Sequence, residues 1–181
     1  MIEEGRDGSA LSLRAFEPED WELLVARRRS GRHLLHEPDR LPLSRFEAQD
    51  LAADASRSSP TDRVELVLQT DAGLAVGTAS VVAADPRNGV VGLAAWVADA
   101  YLDHVDIGPA IVTLVTLVFD DLGYRRAEIE LPEGDASGRA AAEALGFEVE
   151  GRRRRALWAD GDHHDVVLLG LLRAERGGRD A

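Results

Sequence analysis

The chain has no cysteine, and all 21 of its basic residues are arginine, with no lysine anywhere. Without cysteine there can be no disulfide, no thiolate nucleophile and no cysteine-ligated zinc. Without lysine there is no Gly-rich loop ending in Gly-Lys-Ser/Thr to hold a nucleoside triphosphate. Positive charge is scarce overall, since 33 acidic residues set the formal net charge at −12. That argues against a nucleic-acid binder, because a phosphate backbone needs clustered positive potential. Long apolar runs are missing too. The longest, Ile111 to Phe119, is broken by Thr113 and Thr116 and is too short to span a bilayer. The opening MIEEGRDGSALSLR is acidic without an apolar centre, so no signal peptide is expected. These absences point to a cytoplasmic protein that engages neither nucleic acid nor membrane, and no metal site is expected.

What is present is 181 residues, 45% of them hydrophobic, enough for one domain with a real core. Leu11 to Phe16 reads as a strand, and Glu17-Pro-Glu-Asp20 opens a helix, with proline in its first turn and acid at the positive end of its dipole. Trp21, Leu24 and Val25 form the apolar face of that helix and Arg27, Arg28 and Arg29 its outer face. A second helix is expected after Ser44, through Phe46 and Leu51. Val64 to Gln69 and Leu74 to Val82 pair as a hairpin around Asp71-Ala-Gly73, and Val90 to Ala98 follows the turn at 85–89. A helix from Ile107 to Leu122 is stopped by Gly123, and an alanine-rich helix from Ala136 to Leu145 by Gly146, with the strand Arg126 to Leu131 between them. Arg152 to Trp158 and Val166 to Leu172 make the last hairpin.

That order predicts an α/β (α+β) fold: a mixed, mostly antiparallel sheet of about six strands flanked by helices, with one parallel step. It forms one domain over residues 11–175, between a tail at 1–10 and a disordered tail at 176–181. Leu114, Val115 and Val118 are expected to face the sheet, with Leu145 and Phe147 packed beneath.

Six segments keep a recognisable order and spacing: LRAFEPEDWELL ending at Leu24, AVGTASV around Gly77, WVADAY (96–101), FDDLGYRRAEIEL (119–131), EALGFEVEGRRRR (143–155) and DGDHHDVVLLGLL (160–172). In these the chain resembles the GNAT superfamily of acyl-CoA-dependent N-acetyltransferases, most of all the branch that acetylates the N-termini of ribosomal proteins. The resemblance implies direct transfer from acetyl-CoA or another acyl-CoA to a primary amine on a small molecule or peptide, held near residues 33–50. It implies that the backbone of Trp96, Val97 and Ala98 holds the pantetheine arm. N–H groups of Asp106, Ile107, Gly108 and Ala110 would face the phosphates, with further cofactor contacts at Asp135 and Gly138. It also allows a homodimer.

The family's phosphate loop follows the fourth strand as an Arg/Gln-x-x-Gly-x-Gly/Ala pattern. Carried over, the Arg/Gln position is Leu102, the glycine often found next to it is Asp103, and the first required glycine is Val105. The final small residue is Ile107, or Gly108 if the loop slips by one. A β-branched residue tolerates neither the unusual backbone angles nor the close approach that glycine allows. Two carboxylates beside a diphosphate also repel it, by about 1 kcal/mol per pair at 4 Å in water and about 4 at a protein-surface dielectric. A helix dipole returns only about 0.3–1 kcal/mol at an exposed end. Weak acyl-CoA binding follows. In the family's second motif Glu143, Leu145, Gly146 and Phe147 are kept, whereas Asp135, Gly138 and Ala142 replace its Asn, Ser and Tyr.

Candidate acid/base groups are three histidines: His104 inside the divergent loop, and His33 with His36 in the stretch where the resemblance places the acceptor. His163-His164-Asp165 is read as turn chemistry, and the arginines 152–155 as ion-pairing partners for the many carboxylates. Two functions stay open. One is an N-acyltransferase with an atypical cofactor loop; the other is a pseudoenzyme of the same fold that binds a ligand or dimerises without turning over acetyl-CoA.

Overall fold

Strand β2 (Arg63–Thr70) buries both faces, with Val67 and Leu68 each fully covered, so a layer must pack on either side of it. The computed structural model, which describes residues 9–30, 42–57, 63–159 and 161–176, has that sandwich. Eight strands form one sheet in the order β5-β1-β2-β3-β4-β6-β8-β7. They are β1 (Ser9–Ala15), β2, β3 (Ala75–Asp85), β4 (Val90–Val97), β5 (Val105–Asp106), β6 (Arg126–Pro132), β7 (Glu148–Ala159) and β8 (Asp162–Leu172). Neighbours are antiparallel except at two places, where β4 runs parallel to β6 and β5 parallel to β1.

Helices α1 (Trp21–Arg29) and α2 (Arg45–Ala55) cover one face of the β1–β4 half. There Phe16, Leu24, Ala52 and Val67 form a small core. Ser44 accepts the Glu47 N–H at 3.2 Å, and Glu47 reaches back to the Ser44 N–H at 2.9 Å, a reciprocal cap that fixes the start of α2. The other face carries α3 (Gly108–Thr116) and α4 (Ala136–Ala144) over the main core, which includes Leu114, Val115, Val118, Phe119 and Phe147. Leu145, expected in that core, is only partly buried at its margin.

Four further expectations shift. Ser9 and Ala10, read as tail, pair with Val105 and Asp106. The long helix expected after residue 107 is α for nine residues and then widens into a π turn over Leu117–Asp121. There the Leu122 N–H reaches back five residues to the Leu117 carbonyl. The strand expected from Phe147 onward and the hairpin strand expected from Arg152 are one continuous β7 from Glu148 to Ala159, and a bulge between Arg153 and Leu157 puts Arg155 at φ 51°. Arg27, placed on the outer face of α1, is buried at 8% exposure.

Candidate active site

The parallel pair β4 and β6 positions everything that follows. Their ladder runs from Val90↔Arg126 to Leu93↔Ile129 and stops there, although β4 continues to Val97 and β6 to Pro132. Beyond Leu93 each strand keeps its other neighbour: β4 stays with β3 through Val97, and β6 with β8 through Pro132. The sheet therefore opens between the C-terminal ends of the two strands. The helices that follow them, α3 and α4, both start at that same edge, the usual place for a ligand beside parallel strands.

Backbone alternation says which groups face the opening. Ala98 donates its N–H to the Val76 carbonyl at 2.9 Å, so in an antiparallel ladder Trp96, two residues earlier, also turns its polar groups to β3. The N–H and C=O of Ala95 and Val97 turn the other way, toward the gap. Of the three strand residues named from sequence, Val97 presents its backbone to the gap, Trp96 and Ala98 spend theirs on β3, and Ala95 supplies the second pair of groups. Gly77 makes the β3–β4 approach possible, because a Cβ there would land on the Trp96 carbonyl oxygen and 3.0 Å from Val97 Cα.

The Trp96 side chain goes to the α1 side and is 4% exposed. Its indole N–H donates to Ser30 Oγ at 3.0 Å, and the Ser30 hydroxyl donates to the Arg27 carbonyl at 2.8 Å. Arg27 reaches Thr78 Oγ1 at 2.9 Å and Glu65 at 3.5 Å, while Glu65 also accepts from Ser80 at 2.7 Å and from Arg63 Nε at 2.6 Å. This buried polar network clamps the end of α1 onto β2, β3 and β4. Sequence reasoning missed it. Its one trace was Glu65, Thr78 and Ser80 inside otherwise apolar strands, at positions facing a covering layer.

The loop at the top of β4 is built differently. Its stretch 99–110 carries Asp99, Asp103 and Asp106, one histidine and no arginine. Val105 and Asp106 are held as a short strand against β1, and Asp103 and His104 are exposed. The Asp106 carboxylate folds onto the start of α3 and accepts the Gly108 N–H at 2.9 Å. Pro109 has no N–H to offer, and Ala110, the third residue of the turn, is 1% exposed. One first-turn donor is thus taken, one is missing and one is covered.

At the start of α4, Asp135 accepts the Gly138 N–H at 2.9 Å and the Ser137 hydroxyl at 3.0 Å. The two residues expected to touch a cofactor there satisfy each other as a helix cap. His33 and His36 lie outside the described residues.

On the α1 side of the gap, β6 presents Arg126, Glu128 and Glu130 toward β8 and β7. They line a cavity of about 120 Å³ with Glu150, Arg153 and Leu168. Arg126 binds Glu150 and Glu128, and Arg153 binds Glu130. The hydrogen bond from Arg126 holds the Glu150 carboxyl below the ordinary carboxylate range and, in return, raises the Arg126 guanidinium. Arg152 pairs with Glu133 and Asp165, and Arg155 with Asp162. His163, His164 and Asp165, read from sequence as turn residues, lie within strand β8, where Asp165 accepts the Arg155 N–H at 2.7 Å beside the β7 bulge.

Of the two parts expected to hold an acyl-CoA, the strand gap fits a pantetheine arm, with an extended edge and free backbone groups. In the loop, the Gly108 N–H is already taken by Asp106 and Ala110 is covered, so neither is open to a diphosphate. Comparison with known proteins fixes the family. Residues 10–148 match the model of the acetyltransferase (GNAT) domain. A Bacillus subtilis (strain 168) protein, YdaF, whose name assigns it provisionally to the ribosomal N-acetyltransferases, is 27% identical over 170 residues, spanning 91% of this chain and 92% of that one. A crystal structure of a probable acetyltransferase superposes with TM-score 0.79 at 28% identity, over 94% of this chain and 97% of the other. Spermidine N-acetyltransferase from Vibrio cholerae, solved with CoA and spermine, shares the fold at TM-score 0.79 and 15% identity, over 91% of this chain and 96% of that one. With more than half its length matched by that model, the chain belongs to the GNAT family of acetyltransferases.

Proposed function

We propose that this chain is an N-acyltransferase that moves an acetyl or related acyl group from an acyl-CoA to a primary amine of a small molecule or peptide. The observation that carries the reading is the β4–β6 ladder, which ends at Leu93↔Ile129 while both strands run on. An extended, amide-bearing arm fits such an opening as a short added strand. The acyl-CoA supplies the activated thioester. The chain's part is to align that thioester through the backbone of Ala95 and Val97 and to present the amine beside it. The amine nitrogen forms the new C–N bond, the C–S bond breaks, and the amine's proton leaves with the thiol or to a base. His33, His36 and His104 are the bases proposed. The reaction belongs to the cytoplasm, and among the described residues no helix is long and apolar enough to cross a membrane.

Fold alone does not establish turnover, and the Asp106 cap favours a second reading, a family member that keeps the scaffold without the chemistry. Thiol release separates them. The absence of cysteine gives a thiol reagent no protein background. Incubation with acetyl-CoA and a panel of polyamines and peptide amines should give amine-dependent free thiol. No release from any acceptor at millimolar donor would leave the second reading standing.

A further inference from the structure

We infer that this protein selects its acyl donor through the pantetheine arm alone, and that Asp106 is the residue that removes the usual advantage of the phosphates. The inference rests on the reading of the β4–β6 gap given above. It is carried by the contrast between that gap and the start of α3.

A diphosphate on a helix N-terminus needs free first-turn N–H groups and gains from positive neighbours. Here the Gly108 N–H is already bonded to a carboxylate at 2.9 Å, Pro109 has none, and Ala110 is covered. Asp106 is therefore an anion built into the anion site. A phosphate must displace it, and the displaced carboxylate stays nearby as a like charge, with Asp103 exposed in the same loop. The arginine of α4, Arg139, is paired with Glu143 at 2.8 Å. None of these obstacles touches the uncharged arm, whose partners are the backbone groups of Ala95 and Val97. A donor carrying the arm without the nucleotide should be bound about as well as the full cofactor.

Isothermal titration with CoA and with pantetheine tests this directly, on the wild-type chain and on Asp106→Asn. Asparagine keeps an oxygen to cap Gly108 and loses only the charge, and a thermal melt of the variant checks that it folds. In the wild type, CoA and pantetheine should bind within about threefold of each other, a difference of well under 1.4 kcal/mol. Asp106→Asn should tighten CoA about tenfold and leave pantetheine unchanged. Added salt should tighten CoA slightly in the wild type, by screening like charges. A wild type that binds CoA about 100-fold more tightly than pantetheine overturns the inference and leaves the acyltransferase reading in place. So does an Asp106→Asn variant with unchanged CoA affinity. If neither compound binds to either protein, the acyltransferase reading itself falls.

Discussion

The two ends of the proposed donor cleft are made of the same material, backbone N–H groups at the C-terminal edge of parallel strands, yet they stand in opposite states. At the strand end the polar groups of Ala95 and Val97 face an opening that the fold holds apart. At the helix starts two of the expected donors are taken: Gly108 by Asp106, Gly138 by Asp135. The difference lies in distance along the chain. A strand can be held open only by long-range pairing to its other neighbour, which the β3–β4 ladder and the Arg27 network provide. A helix start can be closed by one residue two or three positions away. A single aspartate is enough to cap such a helix start.

The comparison breaks most severely if the strand side is loosened. Glu65→Leu removes the carboxylate shared by Arg27, Arg63 and Ser80 and leaves buried positive charge. It should cost about 3–5 kcal/mol in urea unfolding. Gly77→Ala strikes closer to the gap. Its Cβ collides with β4 backbone, which has no soft direction to yield, so about 1–3 kcal/mol of stability should be lost. Pantetheine binding should fall with it. The loop side should be more forgiving. Asp135→Ala removes one helix cap and should cost about 1 kcal/mol by chemical denaturation, with pantetheine affinity unchanged.

The smallest effect is on acid stability. Asp20 sits below its ordinary range: burial works to raise it, but the paired bonds from Arg14 at 2.6 and 2.7 Å and the Glu17 N–H prevail. Glu150 is lowered by Arg126. In such cases the unfolded chain takes up protons first. Their contribution is complete above the usual carboxylate pKa of about 4 and is lost as pH falls through the lower folded values. Thermal melts should therefore decline below about pH 4, and less steeply in Asp20→Asn. Partial exposure of Glu150 keeps its share modest.

Much of the framework could be read from sequence because its signals are local. Gly123 and Gly146 do sit at positive φ, 74° and 96°, where the helical segments end, and the hairpins pair as alternation predicts. Arg27 could not be placed this way. An arginine followed by two more reads as a solvated face, and only the position of Glu65 and Thr78 on other strands makes burial affordable. The altered loop was legible as a set of wrong residues, but its state was not. Sequence suggested that Asp103 and Asp106 would repel a phosphate, whereas the structure shows that the Asp106 carboxylate accepts the Gly108 N–H at the start of α3. The π turn at Leu117–Asp121 and the bulge at Arg155 have no one-residue signature that separates them from regular helix and strand.

The central claim is that the open strand, and not the loop, receives the donor. Amide hydrogen exchange read by NMR, with and without saturating CoA, tests it at single residues. The account predicts that the Val97 amide becomes more protected on binding, while the Gly108 amide, already bonded to Asp106, changes little. New protection at Gly108 and Ala110 with none at Val97 would contradict it.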